Sequence, residues 1–134
     1  MKKVLITLIS ILFISTNIYS RYILEIEITG IRNNTGVIML QLLDENQNPV
    51  VQEKGIIKDQ KSNIIIRDLK PAKYAIRYFH DENMNGEMEK NRIGKPTEGY
   101  GFSNDAYGIF GPRPFKEWLF DFRENRKIIL KIKY

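Results

Sequence analysis

The feature that most narrows the possible folds is a period of two. In "YILEIEITGI" (22–31), Tyr22, Leu24, Ile26 and Ile28 fall on one side of an extended chain and Glu25, Glu27 and Thr29 on the other, the alternation of a strand buried on one face. "VIMLQLLDE" (37–45) is more apolar and reads as a central strand, and the Asn33-Asn34-Thr35-Gly36 cluster supplies the turn between the two. "NIIIRDL" (63–69) and "KYAIRYFH" (73–80) read as two more strands, joined tightly at Lys70-Pro71-Ala72. Residues 46–61 hold Pro49 and many charges, so a loop with one short edge strand near 55–58 is expected there. "EWLFDFRE" (117–124) and "KIILKIKY" (127–134) read as a closing hairpin around Asn125. β-Branched and aromatic residues dominate, and no segment sustains a helical period.

About seven short strands separated by turn signals predict an all-β protein, an antiparallel β-sandwich of immunoglobulin-like type. In "DLKPAKY", Leu69, Pro71 and Tyr74 follow the order of strand end, sharp turn and strand start. That is the setting of a tyrosine corner, with an ordinary strand tyrosine as the alternative.

The first twenty residues, "MKKVLITLISILFISTNIYS", place Lys2 and Lys3 before an apolar run over 4–14 and a polar end at Ser20, the layout of a secretory signal peptide. That run is shorter than the roughly 20 residues a spanning helix needs. The expected organisation is a signal peptide at 1–20 and one β-sandwich domain at 21–134, secreted or periplasmic, with no membrane span after cleavage. The domain keeps 19 basic against 16 acidic residues, a net charge of +3. Its basic residues are dispersed, which gives nucleic-acid binding little footing. The chain has no cysteine, so disulfides, thiolate metal sites and lipidation at cysteine are excluded.

The strand pattern breaks at "HDENMNGEMEKNRIGKPTEGYGFSND" (80–105), far longer than an ordinary connection. Asp81, Asn83 and Asn85 stand at positions one, three and five, Gly86 at six, Glu87 at seven and Glu89 at nine. This is the front half of a calcium-loop pattern, with oxygen-bearing side chains at alternate residues and a glycine for the sharp turn. Calcium takes six to eight oxygens, and the Glu87 backbone carbonyl can join the side chains. Met88 is expected to turn toward the core. Position twelve is Arg92 where a bidentate glutamate would close an EF-hand, and a strand precedes the loop where a helix would stand. The closing carboxylate must therefore come from elsewhere: Glu98 is the first candidate and Glu82 the second, with Asn91 also able to point inward. Asn, Asp and Gly equally make plain turns, so a simple hairpin tip is the competing reading.

His80 is the sole histidine, and a lone imidazole supplies neither a zinc site nor a nucleophile's partner set. Tyr100, Phe102, Tyr107, Phe110, Phe115 and Trp118 crowd one stretch among glycines and prolines. Most are expected to pack internally. Should some stay exposed, His80, Tyr100, Phe102 and Trp118 are the candidates for a ligand surface.

Taken together, "PAKYAIRYFHDENMNGEMEKNRIGKPTEGYGFSND" and the later "GPRPFKEWLFDF" resemble the bacterial exported family catalogued as domain of unknown function 2141. Its pattern runs LPPGxYAIxxFHDxNxNGxLDxNxxGxPxEGYGFSNN, followed by GxPxF. The resemblance implies an exported sandwich similar to transthyretin-like and carboxypeptidase regulatory-like domains, and no established activity. Ala72 departs from the family's turn glycine, and Glu89 from its aspartate. The expected function is an exported, non-enzymatic binding or structural module with a calcium-ordered loop at 81–98. Its partner would be an unknown protein, peptide or carbohydrate. The alternatives are a carbohydrate- or peptide-binding module using the Gly/aromatic stretch 99–118, and a metal-dependent hydrolase using His80, Asp81 and Glu98.

Overall fold

The computed structural model describes residues 20–134. The expected signal peptide, apart from Ser20, lies outside the described residues. Eight strands run in chain order: β1 Tyr22–Thr29, β2 Val37–Asp44, β3 Pro49–Lys58, β4 Lys61–Leu69, β5 Ala72–Asp81, β6 Tyr100–Phe102, β7 Phe120–Phe122 and β8 Arg126–Lys131. Two short 3-10 turns, Ser103–Asp105 and Phe115–Glu117, lie between β6 and β7. Among the described residues no helix is long and apolar enough to cross a membrane.

The strands follow the order β6-β5-β2-β3-β4-β1-β8, with β7 also paired to β5. β3 belongs to both halves of this order: its first part pairs with β2, and Ile57 and Lys58 pair with β4. The sheet therefore folds over along β3 into two facing layers. On the far side, Tyr100 and Lys133 exchange backbone hydrogen bonds of 2.8 and 3.0 Å, which nearly closes the sandwich into a barrel. Leu24, Ile26 and Ile28 from β1 face Ile38, Leu40 and Leu42 from β2, with Ile76 and Phe122 beside them, and all are essentially inaccessible. Burying a side chain of this size contributes about 1.5–3 kcal/mol, and that apolar layer holds the two halves together.

Tyr74 forms the tyrosine corner. Its hydroxyl donates to the Lys70 carbonyl four residues upstream at 2.9 Å, while its ring packs edge-on against Phe122 at 6.0 Å. Ala72 is not among the residues with positive φ, so this turn does not require glycine there.

Two expectations are corrected. Residues 46–61 are not mainly loop, because β3 is a ten-residue strand. Its exposed edge lets it carry polar residues, and pairing with β2 rather than its own pattern holds it extended. Nor do the last two strands form a hairpin. β7 pairs with β5, whereas β8 crosses to the other layer and runs parallel to β1. That placement gives β8 two partners for its charge: Lys127 lies opposite Glu25 and its ammonium is 2.9 Å from Glu27. The Asn125 side chain, expected at a hairpin tip, instead accepts the Ile23 N–H at 2.8 Å.

Candidate functional site

β5 ends at Asp81 and the chain does not return to the sheet until Tyr100. The intervening loop has few apolar residues to bury, so its order rests on hydrogen bonds. Two buried carboxylates accept four of them. Asp81, 1 % exposed, accepts the Asn85 and Gly86 N–H groups at 3.1 and 2.8 Å, one on each oxygen. Glu98, 4 % exposed, accepts the Glu82 and Glu89 N–H groups at 3.0 and 3.2 Å. A carboxylate held by backbone donors makes bonds about twice as strong as neutral ones. One carboxylate thus shapes the first turn of the loop, and the other ties its start to its middle. Asn91 does the same for the next turn, accepting from Ile93 and Lys95.

Above Asp81 the alternate residues converge. The Asn83 and Asn85 side-chain oxygens accept the Asn85 and Glu87 N–H groups at 3.0 and 2.8 Å. Both amide nitrogens reach one Glu89 oxygen, at 2.5 and 3.4 Å. The two amide nitrogens thus meet at the Glu89 carboxylate over the turn that Asp81 supports, while the two amide oxygens face backbone N–H groups. Glu82 takes no part in it: its carboxylate is committed to Arg32 and to Asn33 at 3.1 Å. Burial alone would raise the Glu82 pKa, but hydrogen bonds from Asn33 and Arg32 and the Arg32 charge outweigh it and hold it below the ordinary value. Among the described residues no three His, Cys, Asp or Glu side chains gather closely enough to hold an ion by themselves, so any ion here would depend on the asparagine oxygens. Glu87 is exposed, and its N–H closes the Asn85 turn. Met88 does not enter the core; it is half-buried and lines a groove on the outward face of the sheet.

His80 is fully buried and forms no part of a ligand surface. Its Nε2 lies 2.6 Å from the Thr35 carbonyl and its Nδ1 2.8 Å from the Tyr134 hydroxyl. A carbonyl only accepts, so Nε2 carries the proton. The Tyr134 hydroxyl, which accepts the Arg32 N–H at 3.0 Å, donates to Nδ1. His80 thus ties three separate segments together. With Asp81 and Glu98 committed to loop amides, all three side chains named for a hydrolase are engaged in holding the fold.

The expectation that most of the aromatics at 100–118 pack internally is corrected: Tyr100, Phe102, Tyr107, Phe115 and Trp118 are half-buried and Phe110 is exposed, because the stretch lies mostly outside the strands that enclose the core. Gly99 and Gly101 let rings come close: a Cβ at Gly99 would lie 2.5 Å from the Tyr134 ring, and one at Gly101 2.2 Å from the Tyr78 hydroxyl. Tyr107 donates to the Lys131 carbonyl at 2.9 Å, and burial pushes its pKa up to about 12. Tyr100 is half-buried against Phe102 and Tyr107, and Phe102 stacks on Trp118 with 4.2 Å between ring centres. The Trp118 indole N–H is taken by the Arg113 carbonyl at 2.9 Å. Sequence reasoning missed Met39, Gln41, Arg77 and Phe79, which face outward beside Phe102 and line the groove. The available signal was the spacing of two between Met39 and Gln41 and between Arg77 and Phe79, which puts each pair on one face of its strand.

These features define an all-β sandwich carrying one long polar loop fastened by two buried carboxylates. The chain belongs to the family described as uncharacterized proteins conserved in bacteria (DUF2141), whose model matches residues 26–129. No curated protein and no solved structure matches it.

Proposed function

We propose that the protein is an exported, non-enzymatic binding or structural module whose loop at 81–98 closes over a calcium ion. The observation that carries this reading is that the Asn83 and Asn85 side chains are drawn to the Glu89 carboxylate above the Asp81 turn, through amide N–H donors whose place an ion would take. A carboxamide oxygen has two lone pairs, so the Asn83 and Asn85 oxygens that each accept one N–H can still ligate. Glu89 adds a carboxylate, and the Glu87 carbonyl is the backbone candidate. Glu98 acts from beneath, fixing the backbone at Glu82 and Glu89 through their N–H groups. Export follows from the leader-like residues 1–20.

An ion bound only by the folded loop stabilises it by mass action, about 2.7 kcal/mol at one hundred times the dissociation constant. Extracellular calcium modules typically bind at about 10⁻⁴–10⁻³ M. The melting temperature is expected to rise between chelator and millimolar calcium, and the rise to disappear in Asn83→Ala/Glu89→Ala. Superimposable melting curves across that range would remove the ion from the account.

A further inference from the structure

The outward face of β2, β3, β5 and β6 sinks into a groove of about 560 Å3, within the 300–1,000 Å3 typical of small-molecule sites. Its apolar lining comes from Met39, Phe79, Met88 and Phe102. Strand register sets the layout. Lys54 lies opposite Met39, and Met39 opposite Phe79; in the next row Gln52, Gln41, Arg77 and Phe102 follow one another across the sheet. The loop contributes Gly86 and Met88 on one side, and Phe102, stacked on Trp118, borders the other.

Arg77, Lys54 and Glu53 are the charged residues that line the groove. Glu53 is in register with the core residue Leu40 and so belongs to the opposite face of β3. Asp81, the outward carboxylate of β5, is buried beneath the loop and satisfied by two N–H groups. The Arg77 Nε donates to the Gln41 side-chain oxygen at 2.7 Å, which fixes the plane of the guanidinium. The two terminal amino groups of that fork match the geometry of a carboxylate. Methionine side chains adapt to irregular apolar shapes.

We propose that this groove binds a small organic carboxylate with an apolar body, its head group on Arg77 and Lys54 and its body across Met39, Phe79, Met88 and Phe102. The site uses none of the proposed ion ligands, and apart from Gly86 and Met88 its lining comes from the strands.

The test is calorimetric titration of the protein with decanoate, 1-decanol and acetate, repeated on Arg77→Gln and Lys54→Gln, with amide NMR shifts to locate binding. Decanoate is expected to bind with shifts at Arg77, Phe79 and Phe102, and acetate and decanol at least about tenfold more weakly, since each lacks one half of the recognition. Arg77→Gln is expected to weaken decanoate about tenfold and leave decanol unchanged; Lys54→Gln, at an exposed position, is expected to weaken it less. Equal affinity for decanoate and decanol, shifts confined to another surface, or undiminished decanoate binding by Arg77→Gln would overturn the proposal. So would binding of an acidic peptide in the same groove with none of decanoate.

Discussion

The interior between the layers and the loop at 82–99 are both ordered, by opposite means. The interior is held by side chains such as Ile26, Leu40 and Phe122 that have lost all contact with water, and its backbone bonds follow from strand pairing. The loop buries little apolar surface; its backbone donors are instead collected by Asp81, Glu98 and Asn91. Apolar packing is nondirectional and cumulative, so it tolerates small changes. A loop held by a few directional bonds loses its shape when a single acceptor is removed.

That contrast is open to direct test. The largest effect is expected from Phe122→Ala, which opens a cavity beside Tyr74 and Tyr22 and should cost about 3–5 kcal/mol of global stability in denaturant unfolding. Asp81→Ala leaves the Gly86 N–H without an acceptor and the Asn85 N–H with Asn83 alone, and should cost about 1–3 kcal/mol. Its signature is local: hydrogen exchange should quicken first at Asn85 and Gly86. Glu98→Gln should act similarly at Glu82 and Glu89, and more weakly, since the amide keeps one accepting oxygen. If either loop variant unfolded the whole protein as severely as Phe122→Ala, the two regions would be one cooperative unit. Tyr74→Phe keeps the ring and loses only the bond to Lys70, at about 1 kcal/mol.

The smallest expected effect is acid sensitivity at the seam between the regions. The Glu82 carboxyl is held below its ordinary value of 4.5, so its contribution is present above that pH and is lost as the pH falls through the lower folded value. Glu82 is partly exposed, and the contribution should be about 0.5 kcal/mol or less. Glu82→Gln should flatten that part of the acid unfolding curve, measured by circular dichroism; an unchanged curve would place the acid sensitivity elsewhere.

Alternation in the sequence was enough to place β1 and its buried face, because a period of two leaves a strand only one face to bury, and apolar runs between turn signals were enough to place β2, β4 and β5. Local chemistry offered the Tyr74 corner beside an ordinary strand tyrosine, and plain turns after Asp81 beside an ion site; the bond to Lys70 and the Asx bonds to nearby N–H groups came only with the structure. Three things were settled only by tertiary structure. β3 is long because β2 pairs with it, β8 is separated from β7 because an edge beside β1 accepts it, and His80 lies inside because Thr35 and Tyr134 come from distant parts of the chain to meet it. The groove is of the same kind, since Met39, Arg77 and Phe102 become neighbours only through strand register. Sequence patterns report what a residue does with its near neighbours along the chain, whereas pairing and burial between distant segments depend on which surfaces the folded chain brings together.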